Sequence, residues 1–532
     1  MTTAAIALEK EGASATTRTA IVAVISTVYL AGLSYYAFVR PLDGDEGFYT
    51  TAARLVWEGK TPYKDFFYQQ APLLPYLYSW VCGVHPHSLI AMRLLSAACT
   101  GLATLLWGAW ALSLSGRIGT KTAFAAFATV LLNPYWASWG VVVKTYAMAN
   151  FLMTLASLFL YVALTSGRIR WYFAAGAVLG FCASARLFYA PLIPAALIWM
   201  ILNRRSLAQN GRSLRLFASG ALCGLAPMIL SFVRGPQVFL FNNLEYHRLD
   251  LGYLELADGK ILHGYQSLGH VVLVYTAMIF VRLIGMHPYF TIELVLAVAG
   301  WLSLRKVRSQ TEPYTPGQRL YFSVAFVLLA AYVLTVLCHF PPYDQYFDTP
   351  IVPLLVPFVA EGLRVTFASA RRHALALALA VAAPLLMAAE IGRDPWLEGP
   401  PAMWHLPVYR EVSKSISANS RPNEVVLSFW PGFLFESQRS YFPGMEDQFA
   451  LRIMNHLTRP QRELYRLTSN QRIMQAITSR EFNLLVIHPW IFEYFETLTP
   501  DEVEAFHAAV EANYVRIEEI SGVCIYRSRS IK

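Results

Sequence analysis

Apolar runs of about 20 residues recur through positions 19–390 of this chain, and the Lys and Arg residues gather in the short stretches between them. A run of that length crosses the hydrocarbon of a bilayer as a single helix. Hydrophobic residues make up 56% of the chain and charged residues only 14%, more apolar surface than a soluble core buries. The class implied is a polytopic α-helical membrane protein. The first run, 19–39, lacks a small-residue cleavage site and reads as a retained span, preceded by a short, polar, disordered cytoplasmic segment, 1–18.

The net charge of +9 reports topology rather than a nucleic-acid partner, because the cations cluster between apolar runs. With the N-terminus inside, loop 40–88 is external, and spans near 89–115, 122–139, 146–165, 171–186, 188–203 and 214–233 leave Arg117, Lys121, Arg168, Arg170, Arg204, Arg205, Arg212 and Arg215 on the cytoplasmic side. Segment 268–286 then belongs to a long external loop, 234–287, as an interfacial or re-entrant helix, and spans near 288–304, 320–339, 349–365 and 373–390 follow. That totals about eleven spans. From 391 to 532 polar and Pro residues rise, and β-like runs at 424–429, 483–487, 514–519 and 523–526 alternate with helix-like stretches such as 452–480 and 500–512. A small external α/β domain is expected there. The six cysteines form no C-x-x-C pair and have no histidine at zinc spacing, so neither disulfides nor a metal site is implied.

Several charges serve no topological purpose. Asp43, Asp45 and Glu46 stand together just after the first span, where a carboxylate must be solvated, paired or neutralised. The structural alternative is that Asp45 is the N-cap of a helix over 46–57, with Glu46 favourable in its first turn. A calcium loop is excluded, since Phe48 stands where the glycine is needed and Arg54 where the bidentate Glu would be. Lys144 and Arg186 fall at external span ends, where cations either snorkel to headgroups or meet a phosphate. Gly176-x-x-x-Gly180 and Gly220-x-x-x-Gly224 read as close helix contacts.

Loop one resembles that of the integral-membrane glycosyltransferases with the C-type fold, especially the protein O-mannosyltransferase and lipid A aminoarabinose transferase group. The ordered elements are Asp45-Glu46, Ala52-Ala53, Gly59, Pro62-Tyr63, Asp65-Phe66-Phe67 and Ala71-Pro72-Leu73-Leu74-Pro75, with the Gly-rich span ending in Arg186 and the Gln345-Tyr346-Phe347 segment farther on. The resemblance implies a polyprenyl-phosphate-linked sugar donor and a lipid, glycan or protein acceptor; no cofactor is expected, and a monophosphate leaving group has less need of a divalent metal, whose involvement stays open. It implies Asp45 as general base with Glu46 tuning it, and inversion at the anomeric carbon. Lys144, Arg186 and Arg248 are then candidates for the departing phosphate, and Asp43, Tyr63, Asp65, Gln69, His247, Gln345 and Tyr346 for other substrate contacts. Gln69-Gln70-Ala71 replaces an acidic-basic pair of the aminoarabinose branch, so lipid A is not carried over as acceptor. The architecture suits a bacterial inner membrane with the site on the outer side. The competing readings are a lipid flippase or transporter, against which stands the lack of an internal repeat, and a non-catalytic assembly protein, which has no use for the loop-one carboxylates.

Overall fold

The computed structural model describes residues 15–85, 87–209, 211–250, 281, 288–306, 314–338, 344–347, 349–368 and 402–529. The span expected at 373–390, and all of segment 268–286 but residue 281, lie outside the described residues. The membrane part is helical: α1 (Ala15–Val39), α2 (Glu46–Trp57), α3 (Leu73–Val84), α4 (Leu89–Ser113), α5 (Thr120–Leu131), α6 (Pro134–Gly140), α7 (Thr145–Ser166), α8 (Arg170–Ala185), α9 (Leu192–Leu202), α10 (Gly211–Gly224), α11 (Ala226–Arg234), α12 (Pro288–Lys306), α13 (Pro316–Leu337) and α14 (Val352–Phe367).

Among the described residues α4, α7 and α13 are each long and apolar enough to cross a membrane, and α10 with α11 are so only when taken together, as a pair bent by 53°. Pro227 opens α11; it offers no N–H to the helical ladder and its ring crowds the preceding turn, which accounts for the bend. Two expected spans are interrupted. The run at 122–139 breaks after Leu131, because the Asn133 side chain caps α6 by accepting from the Trp136 N–H at 2.9 Å, with Pro134 at the first helical position. The run at 188–203 becomes a 3₁₀ turn, Leu187–Tyr189, followed by α9.

The small-residue motifs make the closest helix contacts. A Cβ on Gly176 would lie 2.1 Å from the Phe217 carbonyl oxygen, and one on Gly224 would lie 2.0 Å from that of Ala177, so α8 and α10 meet backbone to backbone. Helices α12 and α14 do the same at Gly300 and Gly362. At one end of the bundle Arg117 Nη1 donates to Gln318 Oε1 at 3.0 Å, among the loops that carry the basic residues. At the other end the starts of α4 and α7 and the end of α8 meet loop one.

The C-terminal residues form a five-stranded sheet in the order β2-β1-β3-β5-β4, where β1 is Val425–Ser428, β2 Ser440–Tyr441, β3 Leu484–Ile487, β4 Tyr514–Ile520 and β5 Val523–Ser528. β1 runs parallel to β2 and β3, and the β3–β5 and β5–β4 pairs are antiparallel. Four strands fall where the residue pattern places them. β2 has only two residues, too few to carry a period. The stretch 452–480 is three short helices, Ala450–Ile453, Arg459–Tyr465 and Asn470–Ser479, because Thr458 and Ser469 start new helices as caps.

In open α/β sheets functional loops leave the carboxyl ends of the parallel strands. Here the loops leaving β1 and β3 carry Trp430 and Trp490, which stand edge-on to Trp404 with centroids 5.0 and 5.6 Å away. These loops rest on loop one. The Leu42 N–H donates to the Trp404 carbonyl at 2.7 Å, Trp430 Nε1 donates to the Gly44 carbonyl at 2.7 Å, and Glu436 caps the N-terminus of α4 by accepting from the Leu89 N–H at 3.0 Å.

Candidate active site between loop one and the C-terminal domain

Residues 43–46 fold into a tight turn at the head of α2. Asp43 Oδ1 accepts from the Asp45 N–H at 3.0 Å, and Glu46 Oε2 accepts from the Asp43 N–H at 3.0 Å. Glu46 is 1% exposed and both its oxygens are occupied: Arg93 Nε donates to Oε1 at 2.8 Å, Arg93 Nη2 reaches Oε2, and the Val143 N–H donates to Oε1 at 2.9 Å. Arg93 also donates to the carbonyls of Ala37, Arg40 and Pro41. Glu46 therefore locks loop one to α4 and to the 141–144 segment, and its hydrogen bonds go to these elements rather than to the Asp45 side chain.

Asp45 caps nothing. Its backbone is already helical, at φ −72° and ψ −22°, and its side chain makes no bond to the first turn, which corrects the N-cap reading. Instead Lys144 Nζ lies 2.8 Å from Asp45 Oδ2 and 2.9 Å from Asp43 Oδ1. Asp45 is the more open of the two carboxylates, with a side chain 29% exposed against 9% for Asp43. Burial lifts the Asp45 carboxyl above its ordinary range, Lys144 pulls it back and the Asp43 charge lifts it again. For Asp43 burial also raises the value, but Lys144 and then Arg40 more than offset it, leaving it below its ordinary range. Two adjacent carboxyls driven apart in this way take different roles: Asp43 remains the anion, and Asp45 is the one able to accept a proton.

Arg186, at the end of α8, is 6% exposed. Its Nη1 donates to Thr145 Oγ1 at 2.7 Å, and its guanidinium lies 4.4 Å from the ring centroid of Tyr146, 4.9 Å from Phe188 and 5.1 Å from Tyr346. Among the described residues it has no carboxylate partner, and its Nε has no hydrogen bond. A buried cation boxed by aromatic faces is held in place without being neutralised.

The other expected residues divide. Gln345 carries a buried Oε1 with no hydrogen-bond partner among the described residues and precedes Tyr346, which closes the Arg186 box. Gln69 reaches Asp447 of the C-terminal domain, and its carbonyl lies 3.2 Å from His247 Nε2. His247 is pushed down to about 4 by burial and is neutral at ordinary pH. Tyr63 holds a positive φ of 69° and donates to the Gln70 carbonyl at 2.6 Å, a turn residue. Asp65 is exposed and accepts from the Thr61 N–H at 2.8 Å. Arg248 is a surface residue whose Nε bonds Glu245 at 2.9 Å. The structure does not bring Tyr63, Asp65 or Arg248 into the Asp45 cluster, because local turns and a surface pair already use their polar groups.

Four residues of the site went unread in the sequence. Arg93 is a cation at the outer end of an apolar run, the same signal that singled out Arg186. Trp430, Asp447 and Gln448 belong to the C-terminal domain, where polar and aromatic residues carry no such signal. Asp447 is pushed up to about 8, first by burial and then by the Asp45 charge. Among the described residues no group of three His, Cys, Asp or Glu side chains is arranged to hold a metal.

The fold is similar to that of ArnT from Cupriavidus metallidurans bound to undecaprenyl phosphate, with a TM-score of 0.60 and 12% identity over 96% of this chain and 98% of that one. The apo state of ArnT gives 0.61 and 14% over the same shares. The Archaeoglobus fulgidus oligosaccharyltransferase tethered with an acceptor peptide gives 0.51 and 14%, over 96% of this chain and 74% of that one. The chain thus has the C-type fold of integral-membrane glycosyltransferases. Residues 69–230 match the family model of the dolichyl-phosphate-mannose-protein mannosyltransferases. A comparison with curated proteins finds no match.

Proposed function

We propose that this protein transfers a sugar from a polyprenyl-phosphate-linked donor to an acceptor hydroxyl at the outer face of a membrane, with Asp45 as general base. The observation that carries the reading is the placing of the partly exposed Asp45 carboxylate beside Lys144, with a buried Arg186 nearby that no carboxylate among the described residues neutralises. Asp45 takes the acceptor proton as the acceptor oxygen attacks the anomeric carbon. The bond from that carbon to the phosphate oxygen breaks, its electron pair leaves with the polyprenyl phosphate, and configuration inverts. Arg186 meets the charge that develops on the departing phosphate, where a preorganised cation does most. Lys144 holds Asp43 and Asp45 in register.

ArnT, which shares the fold, is known bound to undecaprenyl phosphate, and a membrane-embedded site suits such a lipid. A monophosphate leaving group met by Arg186 calls for no divalent metal. The soluble domain lies on the same side as loop one, to which it is hydrogen-bonded, and the basic loops lie at the opposite, cytoplasmic end. The proposed topology has about eleven spans, in a bacterial inner membrane. The test is undecaprenyl phosphate binding to the purified protein in nanodiscs. The reading predicts saturable binding that Arg186→Ala weakens about tenfold or more, and wild-type affinity in that variant would contradict it.

A further inference from the structure

Residues 444–449 form a turn that reaches from the soluble domain to loop one. Gln448 Nε2 donates to the Gly44 carbonyl at 3.0 Å, and Trp430 Nε1 donates to the same oxygen at 2.7 Å, so the domain grips the peptide between Asp43 and Asp45. Asp447 sits in this turn, 2% exposed. Its Oδ1 accepts from the Phe449 N–H at 3.0 Å, but the partner of Oδ2 among the described residues is Gln69 Nε2 at 3.4 Å, longer than a well-formed bond. Two other polar atoms belong to the same place. Gln448 Oε1 and the Tyr68 hydroxyl, which feels the Asp447 charge, are buried without a hydrogen-bond partner among the described residues. Native interiors pair nearly all their buried polar groups. Three under-used polar atoms next to Asp45, one from loop one (the Tyr68 hydroxyl) and two from the C-terminal domain (Asp447 Oδ2 and Gln448 Oε1), fit a hydroxyl-bearing ligand.

We propose that Asp447, flanked by Tyr68 and Gln448, binds a hydroxyl of a substrate carbohydrate, so that the C-terminal domain supplies part of the substrate site. The inference rests on the glycosyl-transfer reading and adds to it a residue from outside the membrane module.

The experiment uses the full chain in nanodiscs, undecaprenyl-phosphate-linked hexoses and pentoses as donor probes, and membrane extract from cells lacking the gene as acceptor. Release of undecaprenyl phosphate is followed for wild type, Asp447→Asn and Asp447→Ser. Both variants are expected to bind undecaprenyl phosphate itself as wild type does and to lose about tenfold or more in turnover efficiency. A raised KM for the donor assigns the hydroxyl to the donor sugar, and a raised KM for diluted extract assigns it to the acceptor. Unchanged kinetics in an active protein overturn this inference alone. Loss of undecaprenyl phosphate binding in both variants also overturns it, by assigning Asp447 to holding the turn. A wild type inactive with every probe overturns the glycosyl-transfer reading and this inference with it.

Discussion

Lys144 Nζ bridges Asp43 and Asp45, 2.9 Å from one carboxylate and 2.8 Å from the other. Without that cation the buried Asp43 carboxyl and the partly exposed Asp45 carboxyl face each other, and like charges raise the energy of the doubly ionised state. Lys144→Met therefore pushes Asp45 further up, and the acid limb of the pH–rate profile moves about 1 to 3 units higher. The profile of residual turnover checks this. An unmoved limb would detach Lys144 from the base.

Glu46 and Asp45 are neighbours with opposite fates under substitution. Glu46 is 1% exposed and paired with a fully buried Arg93, and removing one member of a buried pair strands the other, at about 3–5 kcal/mol. Glu46→Gln is expected to lower Tm markedly, whereas Asp45→Asn, whose side chain caps no helix, leaves Tm near wild type. Thermal melts of both purified variants decide it; equal Tm values would mean that the Glu46–Arg93 lock holds little.

Asp447 gives a pH signature. Its carboxyl is pushed up to about 8 in the folded protein, against an ordinary value of about 4 in an unfolded chain. The folded state thus holds the proton more tightly, so this contribution to stability is full below about pH 4 and is lost as pH rises through about 8. Asp447→Asn cannot titrate. Its Tm relative to wild type should climb between about pH 5 and about pH 9, and a constant difference over that range would show that Asp447 titrates normally.

The membrane class, most helix positions and four of the five strands were legible in the sequence, because apolar runs, Gly-x-x-x-Gly pairs and period-two alternation each have one physical reading. Span breaks were not, since Asn133-Pro134 and Pro227 act by local capping and ring sterics that a run of apolar residues hides. At the site, Asp45, Lys144 and Arg186 announced themselves as charges with no topological use. The partition between Asp45 and Glu46 did not, because which carboxylate meets Arg93 depends on how α2 and α4 pack. Asp447 lies roughly 400 positions downstream of Asp45, and only the docking of the soluble domain brings the two together.

If Arg186 meets the departing monophosphate as proposed, a divalent metal is dispensable. Turnover with a polyprenyl-phosphate sugar should be unchanged after dialysis against EDTA and unaffected by added magnesium or manganese. Loss with EDTA, restored by either ion, would replace Arg186 by a metal in the account.

The central claim is that Asp45 takes the acceptor proton. Release of polyprenyl phosphate from a polyprenyl-phosphate sugar, measured for wild type and Asp45→Asn at matched Tm and matched undecaprenyl phosphate affinity, tests it most directly. The account predicts a loss of about 10²–10⁴-fold in turnover. Turnover near wild type in Asp45→Asn would contradict it and move the base to Asp43 or Asp447, the other carboxylates of the same cluster.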